Sequence, residues 1–251
     1  MTTARATTET PADVGLRASI PVWLVALFIV TALALVAFPQ IDLAASRLFT
    51  DASGGFPLQQ DPVLLAINRG VTWAARVLAL VLLLLSIAAW LPARARRLRA
   101  VAWAARHRRV ILFLFVALAL GPGLVVNTLV KDHSGRARPV NVTDFGGPAA
   151  FTRAFVPADQ CERNCAFVSG HAAIAAFPFA GWFVAGSRRA RRRWLIAGIA
   201  GGLTMGVCRM ATGSHFLSDV LMAMFLVWLV TAVCAAVLLR APSNRAAERV
   251  A

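Results

Sequence analysis

Tyrosine is missing from this 251-residue chain, lysine occurs once, and eleven acidic residues face 26 basic ones. Only 15% of residues are charged, while 59% are hydrophobic. A soluble domain of this length needs more polar surface than that to cover its core, so the composition excludes it and points to a membrane protein. Cysteine is nearly as scarce, at four residues. Cys208 and Cys234 lie in or beside apolar runs and read as small buried residues. Cys161 and Cys165 share a polar loop that suits a disulfide if it faces an oxidising compartment. Free thiols and a metal site are the alternatives, and zinc lacks two further obvious ligands there. No internal repeat or low-complexity tract interrupts the succession of apolar runs.

What the chain does have is arginine, gathered in short stretches between those runs. A net charge of +15 raises nucleic acid as a partner, but a nucleic-acid surface would be spread over a polar domain. This distribution instead follows the excess of basic residues in cytoplasmic loops. Six segments are long enough for a hydrocarbon core of about 30 Å: approximately 20–38, 70–91, 110–130, 166–186, 194–212 and 218–239. The first runs into Pro39-Gln40-Ile41 without a small-residue cleavage pattern, so an uncleaved helix is expected. Loops 92–109 and 187–193 hold seven and five arginines. Both should be cytoplasmic, with both termini inside and 39–69, 131–165 and the turn near 213–217 outside. The expected architecture is all-α and integral to the membrane. It comprises six transmembrane helices over 20–240, with cytoplasmic tails at 1–19 and 241–251. Gly121-Pro122-Gly123 should kink the third span. Gly198, Gly202 and Gly206 recur every four residues in the fifth, a packing face for a neighbouring helix.

Three polar patches punctuate the outward ends. Lys131 closes the third span and Arg138-Pro139 follows. A compact ammonium and a planar guanidinium together suit phosphoryl oxygens. Interfacial snorkelling is the plainer explanation, weakened because basic residues are disfavoured on this face. Ser169-Gly170-His171 opens the fourth span. Serine is a natural N-cap, helix-start amides bind anions, and glycine lets the backbone approach a ligand. Capping leaves His171 unexplained, and an ionisable residue inside a span is a functional candidate by default. The third patch carries Arg209, His215 and Asp219. His215 and Asp219 share a helical face. A carboxylate accepting from one ring nitrogen leaves the other nucleophilic, with Arg209 placed to hold phosphoryl oxygens.

Taken together, Lys131…Arg138-Pro139, Ser169-Gly170-His171 and Arg209…His215…Asp219 resemble, in order and spacing, the three-part signature of the type 2 phosphatidic acid phosphatase superfamily. The resemblance covers roughly 20–240 and is densest over 131–219. It implies a six-helix membrane bundle and a phosphatase needing no metal or other cofactor, working through a phosphohistidine. His215 would be the nucleophile, Asp219 its orienting partner, and His171 the acid on the leaving oxygen and later the base for water. Lys131, Arg138, Ser169, Gly170 and Arg209 would bind the phosphoryl oxygens. Val168 stands where the family usually has proline, and Cys208 where it usually has serine. Neither position supplies a charged catalytic group. The Cys161–Cys165 loop running into Phe167-Val168-Ser169-Gly170 resembles, less specifically, a bacterial branch that includes lipid A phosphatases.

The expected partner is a phosphorylated membrane lipid in the bilayer: lipid A, undecaprenyl diphosphate, phosphatidylglycerol phosphate or phosphatidic acid. The site would face the periplasm of a bacterial inner membrane, and arginine-rich, tyrosine-free usage fits a GC-rich bacterial genome. Phe49, Phe56 and Leu58 are candidates to line a lateral lipid entrance. Transfer of the phosphoryl group to another lipid is the nearest alternative activity. A haloperoxidase with the same constellation is disfavoured by the membrane character, and a transporter or structural protein would not require the His–Asp–Arg set.

Overall fold

The computed structural model describes residues 22–239; the terminal tails expected at 1–19 and 241–251 lie outside them. Among the described residues the regular structure is helical, with one isolated β-bridge between Val142 and Ala149. In chain order the main helices are α1 (Val22–Ala37), α2 (Gln40–Arg47), α3 (Pro62–Ala88), α4 (Arg99–Arg106), α5 (Arg108–Val130), α6 (Gly170–Val184), α7 (Arg188–Ala211) and α8 (Leu217–Leu238).

All six expected segments are helical, but they are not six equal spans. Helices α3, α5, α7 and α8 are each long and apolar enough to cross a membrane. Helix α1 reaches that measure only together with α2, across an 86° bend. Pro39, which caps α2, has no N–H for the ladder and disfavours helical geometry at the preceding residue. Helix α6 is shorter and is interrupted by a 3₁₀ turn at Phe177–Phe179 containing Pro178. A count of apolar residues does not register such breaks. Among the described residues four helices therefore qualify as spans, or five with the bent pair taken as one.

Local sequence explains where the long helices start and change pitch. Asp61 caps α3 by accepting from the Leu64 amide at 2.8 Å, and Pro62 occupies the first turn where its missing donor costs nothing. The kink expected at Gly121-Pro122-Gly123 takes the form of a π-helix over Ala119–Val130. Pro122 cannot donate, and the Asn127 side-chain amide donates to the Pro122 carbonyl at 2.6 Å.

Helix α8 is the hub, with 56% of its apolar window buried, against 11% for α3 at the periphery. The glycine face of α7 explains how closely the neighbours pack. A β-carbon at Gly198 would collide with the Phe179 ring, at Gly202 with Met224, and at Gly206 with Val220. Phe113, Phe179 and Phe183 gather with Trp228 in the centre of this core. A second, smaller core of Phe56, Ala137, Val142, Phe145 and Phe216 caps one end of the bundle. Phe56 is thus a core residue, 6% exposed, packed against Gly213 (φ +64°), where no side chain could fit. It does not line a lipid entrance.

Candidate functional site

The ends that carry the three polar patches meet beneath that small cap. Lys131 follows the last turn of α5, Ser169 caps α6, Arg209 lies in the last turn of α7, and Asp219 in the first turn of α8. Main-chain bonds tie the patches to one another: Ser169 donates to the Asp219 carbonyl, Val140 to Gly213, and Ala166 to Arg136, at 2.9–3.0 Å. All eight residues singled out in the sequence therefore sit at one end of one bundle.

His215 is fully buried. Its Nδ1 lies 2.7 Å from the Ala166 carbonyl oxygen. A carbonyl only accepts, so Nδ1 carries the hydrogen and Nε2 keeps its lone pair. Nε2 is buried with no hydrogen-bond partner among the described residues. Burial holds the imidazole down at about 4, with Asp219 opposing the shift, so the ring is neutral at neutral pH. Asp219, expected to orient the ring, also faces Nδ1, its Oδ2 standing 3.6 Å away; the Ala166 carbonyl is the nearer acceptor.

Asp219 is occupied elsewhere. Oδ2 accepts from the Phe216 amide at 2.7 Å and Oδ1 from Arg136 at 2.6 Å. Arg136 is 1% exposed, and each arm of its guanidinium has a partner. Nε donates to the Thr152 carbonyl, Nη1 also to the Ser218 hydroxyl, and Nη2 to Asp42, at 2.8–2.9 Å. The Phe216 ring lies 4.3 Å from its carbon centre. Asp42 in turn accepts from the Ser218 amide and hydroxyl. One cation is thus shared between two carboxylates in an almost dry environment, behind the histidine that Asp219 faces.

Lys131 is 7% exposed. Burial, reinforced by the charges of Arg138 and Arg209, pushes its ammonium down to about 8. Arg138 donates to the Asn164 carbonyl at 2.9 Å, and burial lowers its proton affinity as well. Arg209 keeps a buried Nε with no partner among the described residues. Three cations crowd together while the paired carboxylates stand behind them, an arrangement that favours a multiply charged oxyanion. Ser169 caps α6 by accepting from the Ala172 amide at 3.4 Å. Any side chain at Gly170 would strike Asn127. His171 Nε2 lies 3.3 Å from the Thr72 hydroxyl, which also reaches the Asn68 carbonyl at 3.1 Å. With its hydrogen on the Asn68 carbonyl, the Thr72 oxygen can accept from His171 Nε2 when that nitrogen is protonated.

Beside this cluster a cavity of about 620 Å³ is lined by Lys131, His171, Gly170, Asn127, Thr72 and Arg76, among others. Among the described residues no group of three or more His, Cys, Asp or Glu is arranged to hold a metal ion. Cys161 and Cys165 are joined in a disulfide with Cα atoms 5.6 Å apart. Arg136, Asp42, Thr72 and the Ala166 carbonyl were not singled out in the sequence. Arg136 alone offered a signal there, as a cation lodged between Lys131 and Arg138.

Comparison with known proteins identifies the family of the chain. A family profile described as the PAP2 superfamily matches residues 110–242. The chain is 40% identical over 135 residues to a protein named lipid A 4'-phosphatase from Francisella tularensis subsp. novicida, covering 54% of this chain and 61% of that protein. It is 33% identical over 216 residues to a protein of the same name from Rhizobium etli, covering 81% and 79%. A third such protein, from Rhizobium leguminosarum, is 31% identical over 216 residues, covering 81% and 88%. No solved structure matches the chain.

Proposed function

Since the chain belongs to the PAP2 superfamily, we propose that it is a membrane lipid phosphatase that removes a phosphoryl group from lipid A through a phosphohistidine. The observation that carries the proposal is the state of His215. Its Nδ1 is tied to Ala166 and its Nε2 is unpartnered, beside Lys131, Arg138 and Arg209. In the first step Nε2 attacks phosphorus, the bond from phosphorus to the lipid oxygen breaks, and His171 passes a proton to that oxygen. The imidazole then bears the phosphoryl group, with its added positive charge facing Asp219 at 3.6 Å. In the second step His171 takes a proton from water, the water oxygen attacks phosphorus, and the phosphorus–nitrogen bond breaks. Neutral His215 and inorganic phosphate result. Lys131, Arg138, Arg209 and the amides opening α6 hold the equatorial oxygens, where charge is greatest in the transition state.

Lipid A stands first because three relatives carry that name. The arrangement in the membrane follows from charge: the arginine-rich stretches 92–109 and 187–193 belong to the end opposite the site. With those loops cytoplasmic, the site opens to the periplasm. The bent α1–α2 pair and short α6 then complete six passes.

Phosphate release by the purified protein in detergent tests this reading, using lipid A, undecaprenyl diphosphate, phosphatidylglycerol phosphate and phosphatidic acid, each with EDTA. Release should be fastest from lipid A and survive the chelator; EDTA-sensitive release would sink the histidine mechanism. The pH profile supplies a separate check. Lys131 holds its proton below about 8 and loses its phosphate-binding charge above that. Thus kcat/KM should fall on an alkaline limb near 8, and Lys131→Arg should move that limb upward, since guanidinium stays protonated. An unmoved limb would remove Lys131 from the site.

A further inference from the structure

Arg76 is a cation where a membrane helix should not carry one. It lies roughly four turns into α3, a 27-residue helix that qualifies as a span. Among the described residues no carboxylate lies within ion-pair distance of it. The one defined contact is with the ring of Trp73, 5.3 Å from the guanidinium carbon. A charge within a span belongs at an interior or water-filled cavity and marks a ligand path. Arg76 meets that description, because it lines the 620 Å³ cavity together with Lys131 and His171.

Its position along the cavity gives it a role. Thr72, one helical turn before it on the same face, is the residue in contact with His171 Nε2. Arg76 is therefore one turn further from the cluster of Lys131, Arg138 and Arg209, on the side of His171 where the leaving group must lie. Beside it, Ala75, Leu118 and Ile174 line both this cavity and an almost wholly apolar groove of about 470 Å³ that continues along α6 as far as Val184, away from the site. The order along the path is a phosphoryl pocket, one guanidinium with its donors uncommitted among the described residues, and then a surface fit only for hydrocarbon. That is the order of groups along a lipid whose phosphate is joined to its chains through an oxygen-bearing segment.

We propose that Arg76 is the subsite for that segment. It donates to acyl carbonyl or sugar oxygens of the leaving group and selects acylated sugar phosphates over lipids whose phosphate is joined directly to a hydrocarbon chain. A planar fork with five donors suits several nearby oxygens better than an ammonium does. The proposal rests on the phosphatase reading for the placement of the phosphoryl group and extends it to the group that departs.

The test is a ratio of affinities in the His215→Ala background, so that neither lipid is consumed. A phosphorylated diacyl-glucosamine lipid and an alkyl monophosphate of matched chain length are bound to detergent-solubilised protein. With Arg76 present the sugar lipid should bind at least about tenfold more tightly. Arg76→Leu should bring the two within about threefold, and Arg76→Lys should fall between. Arg76→Gln serves if the leucine variant does not fold. A ratio unchanged by substitution, whether because neither affinity moves or because both weaken alike, would show that Arg76 only anchors α3 and would overturn the proposal. Failure of the phosphatase reading shows elsewhere, as absence of phosphate release by the unsubstituted protein, while the affinity ratio still reports on Arg76.

Discussion

Replacing His215 with alanine should lower phosphate release from a lipid phosphate by at least about 10³-fold, because no other group in the site is placed to take over the attack. Lys131, Arg138 and Arg209 are cations and cannot act as nucleophiles while protonated. His171, beside Thr72, serves proton transfer in the proposed mechanism. The covalent step separates this role from simple phosphate binding. Brief incubation with ³²P-labelled lipid, followed by alkaline denaturation, should leave label on the unsubstituted protein and none on His215→Ala. Label of equal intensity on the variant would mean that another residue is the acceptor. The geometry also bounds what Asp219 contributes. Since the Ala166 carbonyl fixes the ring at 2.7 Å, the reactive tautomer does not depend on Asp219. In the proposed mechanism its contribution is charge, felt when the imidazole gains the phosphoryl group.

Substituting Arg136 with leucine should cost about 3–5 kcal/mol of stability, the usual consequence of stranding buried charges by removing one partner. Two carboxylates, Asp42 and Asp219, at 1% and 0% exposure, would be left without their shared cation. Thermal unfolding in detergent should show a drop of several degrees for Arg136→Leu. Asp42→Asn, which removes one of the two negative charges, should recover part of that loss in the double variant. An Arg136→Leu protein as stable as the parent would show the network to be dispensable. So would a double variant whose losses simply add, since coupled partners do not add.

How much of this was legible in the sequence differs between chemistry and support. Lys131, Arg138, Ser169, Gly170, His171, Arg209, His215 and Asp219 fall at helix ends that charge patterning and hydropathy could place on one side, and the structure gathers them there. The supporting groups leave weaker traces. Arg136 is one of many arginines, and nothing local marks it as the one that is fully desolvated. Asp42 meets Ser218 across 176 positions, a pairing no local pattern encodes. Thr72 reads as an ordinary residue of an apolar helix until His171 is found beside it. The Ala166 carbonyl belongs to the backbone, which every residue has, so sequence reading cannot distinguish it. Hydropathy likewise found six apolar stretches without showing that Pro39 bends the first and Pro178 divides the fourth.

Asp42 also bears on where a working unit begins and ends. The family match covers 110–242 and includes all eight residues named above, which invites treating that stretch as a transplantable module. Yet the counter-charge for Arg136 comes from residue 42, and the hydroxyl beside His171 from residue 72. A fragment cut at the family boundary would keep all eight of these residues and lose the ground they stand on. Chimeras that exchange the first hydrophobic segments between relatives should accordingly keep Asp42 and its partner together, as a pair that is inherited or lost as one.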